Sequence, residues 1–217
     1  MKKVQQKRAI ATRESILDAL EKLLADSEFE TLSISDIARE ADVAVGSVYS
    51  HFKDKNALLP GLLDRHLTRT KERIEEAKAT GRILGYQLDK ANAPLLRDMI
   101  ERAVRAALAQ VTQGRGIRRA LLTYRRLHPD ADLPLATEMA NEAFEIFLAQ
   151  LSLYADEISR SDMRGVAKLI NYFVNVMFLD QVMFSKPVMP EDLRPSDEEL
   201  ILAYSEMIYR YLTSAAE

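Results

Sequence analysis

Apolar side chains recur at three- and four-residue intervals through most of the chain, which is the spacing of amphipathic α-helices. The first such segment covers residues 7–26, where one helical face carries Ile10, Ile16, Leu17, Leu20, Leu23 and Leu24. Alternation of apolar and polar residues, which would indicate half-buried strands, is absent from the sequence. The pattern therefore predicts an all-α fold.

Two short helices are predicted after this first helix. Ser33 and Asp36 have the spacing of a capping box, which starts the first short helix. A tight turn at residues 42–43 leads to the second, over residues 45–51. Two short helices that pack on a longer first helix have the arrangement of a helix-turn-helix module.

The remaining sequence predicts a second, larger helical domain. A long helix begins at Lys55, after the candidate N-cap Asp54, and ends near residue 80. Five more predicted helices cover residues 92–112, 117–127, 134–156, 162–184 and 197–213. Ser196 and Glu199 have the spacing of a capping box at the start of the last one. With the first three this gives about nine helices, divided between a three-helix domain at residues 1–56 and a helical domain at residues 57–217.

Composition favours long helices and excludes several kinds of site. The 217 residues include only seven Gly and seven Pro, so few turns are expected. Cys is absent, which excludes disulfides, thiolate metal sites and a cysteine nucleophile, and fits a reducing compartment. Neither a run of about 18 apolar residues nor an apolar signal segment is present. We therefore expect a cytoplasmic protein that does not contact membranes.

Charge is distributed unevenly along the chain. The net charge is −3, yet residues 1–13 contain Lys2, Lys3, Lys7, Arg8 and Arg13 and no acidic residue. Residues 14–56 contain ten acidic and four basic side chains. The N-terminal arm is therefore either a solubilising start of the chain or a local site for an anionic partner.

A family resemblance follows from two segments. Residues 12–19 read TRESILDA, and residues 32–59 read LSISDIAREADVAVGSVYSHFKDKNALL. Small, apolar and aromatic residues at these spacings resemble the DNA-binding signature of the TetR family of transcriptional regulators, over about residues 8–60. Asp42 stands where this family often has Gly, but Asp tolerates a left-handed backbone better than most residues.

The resemblance implies that the second short helix enters the major groove of double-stranded DNA, with Val48 and Phe52 in the module's core. Arg, Asn and Gln, the strong bidentate readers of bases, are absent from this helix. We therefore hypothesise that DNA shape, or the N-terminal arm in the minor groove, supplies base specificity. The candidate DNA-binding residues are Ser33, Ser35, Val45, Gly46, Ser47, Tyr49, His51 and Lys55.

Two helices near the C-terminus indicate self-association. Residues 169–184 are apolar nearly all round, and residues 197–213 repeat this more weakly. Pairing both helices with their copies in a second chain would form a four-helix bundle, as the resemblance also implies. Such a homodimer presents two recognition helices to a pseudo-palindromic operator. The alternative is that one of these helices is simply the core of a monomer.

The second domain is expected to bind a small molecule. An enclosed helical domain can hold a pocket of apolar and aromatic side chains with a few polar groups. Core packing is the alternative role for each candidate. The candidates for an apolar or amphiphilic effector are Tyr86, Met99, Arg105, Tyr124, Phe144, Phe147, Tyr154, Asn171, Tyr172, Phe173, Asn175 and Met177.

We predict no catalytic residues, metal site or cofactor. The three histidines lack Cys partners, and hydrolase, metalloprotease and phosphate-loop motifs are absent from the sequence. The sequence thus predicts a ligand-responsive transcriptional regulator, most simply a repressor that an effector releases from DNA. Two alternatives stay open: a helical binding protein or enzyme that keeps the helix-turn-helix as a folding module, and an activator.

Overall fold

A computed structural model of the chain describes residues 2–79, 82–83, 86–87, 93, 95–178, 182 and 190–214. Among these residues, two short strands pair antiparallel: β1 (Arg82–Ile83) and β2 (Tyr86–Gln87). All other regular structure in this part is helical, so the predicted all-α fold class is confirmed. The described α-helices are α1 (Lys2–Asp26), α2 (Ile34–Glu40), α3 (Val45–His51), α4 (Leu58–Ala79), α5 (Leu96–Gln113), α6 (Arg115–Leu127), α7 (Pro134–Ser152), α8 (Met163–Met177) and α9 (Asp197–Thr213).

The chain folds into two compact units. Unit 1 consists of Met1–Arg69 and Gly114–Asp132, and unit 2 consists of Thr70–Gln113 and Leu133–Glu217. The first half of α4 and all of α6 therefore pack with the N-terminal helices. The predicted division at residues 56/57 separates a DNA-binding from a ligand-binding domain by function, and it stays a prediction. The compact units are divided differently, because unit 1 combines two separate segments of the sequence.

Local interactions define the start of α2 and the turn after it. The Asp36 N–H donates to Ser33 Oγ (3.1 Å), and the Ser33 N–H donates to Asp36 Oδ2 (3.0 Å). This confirms the predicted capping box. Asp42 has φ 54°, the left-handed conformation expected for this turn. The core below is one apolar cluster that includes Ile16, Leu17, Leu20, Leu24, Ile37, Val48, Phe52, Leu58 and Leu62.

The prediction that the fourth helix begins at Lys55 is wrong by one turn. Asp54 accepts a hydrogen bond from the Ala57 N–H (2.9 Å), and this turn precedes the first residue of α4, Leu58. Lys55 therefore lies in the turn before the helix. The first helix differs in the other direction, because α1 begins at Lys2, five residues before its predicted start at Lys7.

A buried arginine attaches α4 to α1. The Arg65 side chain is 7% exposed, and its guanidinium donates to Asp18 Oδ1 and to Glu21 Oε2, both at 2.7 Å. It also reaches the backbone oxygen and the carboxylate of Glu14, at 3.3 and 3.4 Å. Arg69, one turn later on α4, lies 3.5–3.9 Å from the same three carboxylates but is 51% exposed. Arg65 is thus the inner and Arg69 the outer member of one α1–α4 network.

A second buried arginine and a glycine attach α6 to α1. Arg119 Nη2 donates to the carbonyls of Leu24 (3.1 Å) and Ser27 (2.9 Å), which lie at the C-terminal end of α1. Its Nε pairs with the Glu28 carboxylate at 2.8 Å. Gly116 permits this approach, because a Cβ at that position would lie 2.3 Å from the Leu24 carbonyl oxygen. Arg119 therefore caps α1 from a distant part of the sequence.

Unit 2 is a set of helix pairs, with α5 packed on α9 and α7 packed on α8. Glu157 accepts from the Leu96 N–H at the start of α5 (3.1 Å), and Tyr154 Oη donates to the Ala93 carbonyl (2.6 Å). The capping box predicted at Ser196 and Glu199 is present at the start of α9. The helix predicted over residues 134–156 ends at Ser152. The end of the helix predicted over residues 162–184 lies outside the described residues.

None of the helices in the described part of the chain is long and apolar enough to cross a membrane.

We expect Arg65→Met to lower the free energy of unfolding by about 2–3 kcal/mol, because three carboxylates would lose their inner cation. The loss of stability is smaller than for a fully buried ion pair, because these carboxylates are 37–61% exposed. Urea denaturation measures the change. Arg69→Met is the matched control and should lose less than about 1 kcal/mol; equal losses would contradict the assigned roles.

Candidate nucleic-acid interface

The two faces of α3 differ in burial and in side-chain size. Val48 and the C-cap residue Phe52 are buried in the core of unit 1, as predicted. Gly46 lies two residues from Val48 and thus on the opposite side of the helix, at 100° per residue. A Cβ at Gly46 would have nothing within 4 Å. The outward face of α3 therefore carries small side chains and has free space in front of it at Gly46.

Ser50 belongs to this face, although the sequence analysis did not select it. It is exposed, and its hydroxyl donates to the Ser47 carbonyl (2.7 Å), which leaves the hydroxyl oxygen able to accept. Like Gly46, it lies two residues from the buried Val48, so helical periodicity alone could have identified it. Val45 and Tyr49 flank the face and are 40% and 54% exposed.

The candidate phosphate contacts near the end of α3 differ in availability. His51 is half-buried, whereas Lys53, which the sequence analysis also missed, is exposed in the following turn. Lys55 Nζ donates to the Glu30 carbonyl (2.9 Å) and lies 4.8 Å from the centre of the Phe29 ring. Partial burial lowers the pKa of the Lys55 ammonium. Lys55 thus holds the Phe29–Thr31 turn against this module, and Lys53 is the more accessible cation.

The two serines at the start of α2 have different surroundings. The Ser33 hydroxyl contacts Asp36 within the capping box, and this hydrogen bond holds the pKa of Asp36 below its ordinary value. Arg39 lies 2.6 Å from the same carboxylate. The Ser35 side chain is exposed in the first turn of the helix. A backbone phosphate would therefore meet a more accessible hydroxyl at Ser35 than at Ser33.

The candidate effector residues are dispersed through the described structure. Tyr124 packs against the apolar cluster of unit 1, beside the ring of His128 at 4.7 Å. Met99 and Tyr154 are buried in unit 2. Arg105 pairs with Glu198 (2.7 Å) and Glu101 (3.0 Å), which raises its pKa. The role predicted for the side chain of Tyr86 lies outside the described residues.

The candidates on α7 and α8 separate into an inner and an outer group. Phe144, Phe147 and Met177 are half-buried, and the Arg164 guanidinium lies 5.3 Å from the centre of the Phe144 ring. The outer group is exposed and comprises Asn171, Tyr172, Phe173 and Asn175.

An exposed apolar stripe runs along α8. Its four members have the spacing of one helical face, and each exposes at least 40% of its surface: Leu169, Tyr172, Phe173 and Val176. Large apolar side chains that share one exposed face mark an interaction surface more often than isolated ones do. The outer candidates thus lie on or beside this exposed apolar stripe.

Sequence comparisons identify the N-terminal module. Residues 16–62 match the family model described as bacterial regulatory proteins, tetR family. The chain is 37% identical over 62 residues to the HTH-type transcriptional regulator YvdT of Bacillus subtilis, which is 29% of this chain and 32% of YvdT. It is 31% identical over 87 residues to the HTH-type transcriptional repressor NemR of Escherichia coli, which is 37% of this chain and 44% of NemR. The chain thus spans less than half the length of these curated relatives.

The similarity in fold extends much further along the chain. A tetR-family transcriptional regulator from Mesorhizobium loti superposes with a TM-score of 0.57 at 17% identity. The superposition covers 95% of this chain and 99% of that protein. At this identity the likeness concerns the fold, and it includes the helices after the N-terminal module.

Two Gly→Ala substitutions should have opposite effects on stability. Gly46→Ala adds a methyl group in open space on a helix, so the free energy of unfolding should rise by about 0.5–1 kcal/mol. Gly116→Ala forces α6 away from α1 and should cost about 1–3 kcal/mol. Thermal and urea unfolding of both variants test this pair. A stable Gly116→Ala variant would mean that α6 does not pack closely on α1.

Proposed function

We propose that this chain, a member of the tetR family of bacterial regulatory proteins by its N-terminal module and its fold, is a transcriptional repressor that a small molecule releases from its operator. The open outward face of α3 carries this proposal. A helix with small outward residues can approach base edges closely in the major groove. The protein would act in the cytoplasm, where bacterial DNA is accessible.

The DNA contacts are assigned to exposed and half-buried positions of unit 1. Gly46 and Ser47, with the newly identified Ser50, face the base edges, and Val45 can meet a thymine methyl group. Tyr49 and His51 are assigned to backbone phosphates, together with Ser35 and Lys53. Ser33 and Lys55 keep a smaller role in this proposal, because each already has a partner within unit 1. Hydroxyl groups and one methyl contact give little base discrimination, so DNA shape contributes to specificity.

The apolar stripe of α8 supports a homodimer. A second copy that packs against α8 and α9 would cover Tyr172, which is 67% exposed in the single chain. This forms the four-helix bundle expected for two such helices per chain. Two copies of α3 would then contact two half-sites of a pseudo-palindromic operator.

The effector is assigned to unit 2. Phe144, Phe147 and Met177 are apolar, half-buried side chains suited to an apolar or amphiphilic molecule. Arg105 is less suited to bind an anionic group, because two carboxylates already neutralise it. Effector binding would shift the population towards a state in which the two α3 helices no longer match successive major grooves. The name of NemR, a repressor, favours repression over activation.

The DNA-binding proposal is tested by fluorescence anisotropy with a labelled duplex from upstream of the gene that encodes the chain. Binding should be tighter than to a scrambled duplex and should weaken as salt rises. Tyr49→Ala should weaken binding by roughly 10–100-fold, the value of a hydrogen bond to a charged group. Equal affinity for both duplexes would contradict the proposal.

Leu127→Ala is the control for that variant. Leu127 is 57% exposed in unit 1, close to the 54% of Tyr49, but lies on α6. Its truncation should leave DNA affinity unchanged within about twofold, since surface substitutions of this kind usually alter stability by less than about 0.5 kcal/mol.

The homodimer is tested by light scattering. The unmodified chain should have twice the mass of one chain, and Tyr172→Asp should shift the population towards monomers, because a charge would lie in an apolar interface. Leu193→Asp is the matched control, since Leu193 is 62% exposed outside the stripe. A stable monomer of the unmodified chain at micromolar concentration would contradict the dimer.

A further inference from the structure

The first three turns of α1 extend beyond the packed part of unit 1. Residues 2–11, here called the basic extension, are helical, and every side chain described in this segment, from Gln6 to Ala11, is exposed. The segment contains Lys2, Lys3, Lys7 and Arg8 and no acidic residue. The basic extension is therefore a helical, positively charged segment, exposed at residues 6–11, on a chain whose net charge is −3.

The helical form of this segment disfavours the hypothesis that it reads DNA in the minor groove. An α-helix with its side chains is about 10–12 Å in diameter, whereas the minor groove of B-DNA is only about 6 Å wide. The hypothesis that this arm enters the minor groove requires an extended backbone. The basic extension is better suited to lie against the outside of a duplex.

The packing of α1 sets the position of this rod. The Arg13 guanidinium lies 5.6 Å from the centre of the Phe52 ring, at the end of α3. Ile10 is seven residues before Leu17 and so continues the core face of α1, yet it is 57% exposed. The basic extension therefore leaves unit 1 near Arg13, which lies beside the end of α3, where the exposed Lys53 follows Phe52.

We propose that the basic extension binds the phosphate backbone of the DNA that flanks the operator. The inference rests on the proposed function, because it requires that α3 dock on a duplex. Ten helical residues are about 15 Å long, which equals the rise of roughly four phosphates of one strand along the duplex axis. A membrane surface fits less well, because the segment has few apolar side chains to bury.

This contact adds affinity without sequence information. Lysine and arginine contacts to phosphates release counterions, so they make binding dependent on salt, and they act equally on every sequence. On an acidic chain, the basic extension would thus add to the attraction that Lys53 and the other phosphate contacts of unit 1 provide. Base discrimination would remain with α3 and with the shape of the duplex.

The experiment compares two double variants of the full chain with the same loss of charge. Lys7→Gln with Arg8→Gln removes two charges from the basic extension, and Arg73→Gln with Arg194→Gln removes two exposed charges from unit 2. Anisotropy gives the affinity of each for the upstream and scrambled duplexes between about 50 and 200 mM salt. Each phosphate contact adds about 0.9 to the slope of log affinity against log salt.

If two chains bind, the variant of the basic extension loses up to four phosphate contacts. Its slope should then be less steep by up to about 3.6. The original chain would then lose roughly 100-fold more affinity over that salt range than the variant does. The ratio of affinities for the two duplexes should stay the same, and the unit 2 variant should keep the original slope.

Two results would overturn the proposal while leaving the function intact. One is an unchanged slope in the variant of the basic extension. The other is a tenfold or greater fall in the ratio between the two duplexes, since that would mean that the segment reads bases. If the unmodified chain fails to distinguish the duplexes, the proposed function fails as well.

Discussion

A guanidinium that leaves water must find acceptors where it is buried, and this requirement organises unit 1 around α1. Arg65 meets the carboxylates on the side of α1, and Arg119 meets the carbonyls at its C-terminal end. These two arginines bring α4 and α6 to the same helix, which also supplies the apolar face for α2 and α3. The helices α2, α3, α4 and α6 are thus all attached to α1.

These contacts with α1 explain how the short α3 helix keeps its orientation. α3 has seven residues, fewer than an isolated helix needs to be stable in water. Val48 and Phe52 anchor it in the core, and Asp42 sets the angle at which it follows α2. Its outward residues have few rotamers to lose on binding, so little conformational entropy opposes contact with a duplex. A small outward face therefore suits close docking, although it provides few specific hydrogen bonds.

The sequence predicted those features that depend on neighbours a few residues apart. The capping boxes at Ser33 and Ser196, the bounds of α3 and the left-handed Asp42 are confirmed. Features set by distant contacts were not predictable. Arg119 donates to the carbonyl of Leu24, 95 residues earlier, and Arg105 donates to Glu198, 93 residues later. A local sequence pattern cannot indicate either hydrogen bond.

The candidate site shows the same limit on a smaller scale. Lys55 follows the candidate N-cap Asp54 in the sequence, but its contacts to Glu30 and Phe29 form only when the Phe29–Thr31 turn packs against it.

The close contact at Gly116 has a consequence for protein engineering. Because α6 touches the backbone of α1 there, a hybrid regulator made by joining residues 1–56 to another effector domain would lack the native partner for the end of α1. Grafting the proposed DNA-binding module onto a new sensor therefore requires transplanting residues 114–132 as well, or a sensor whose own helix reproduces that contact.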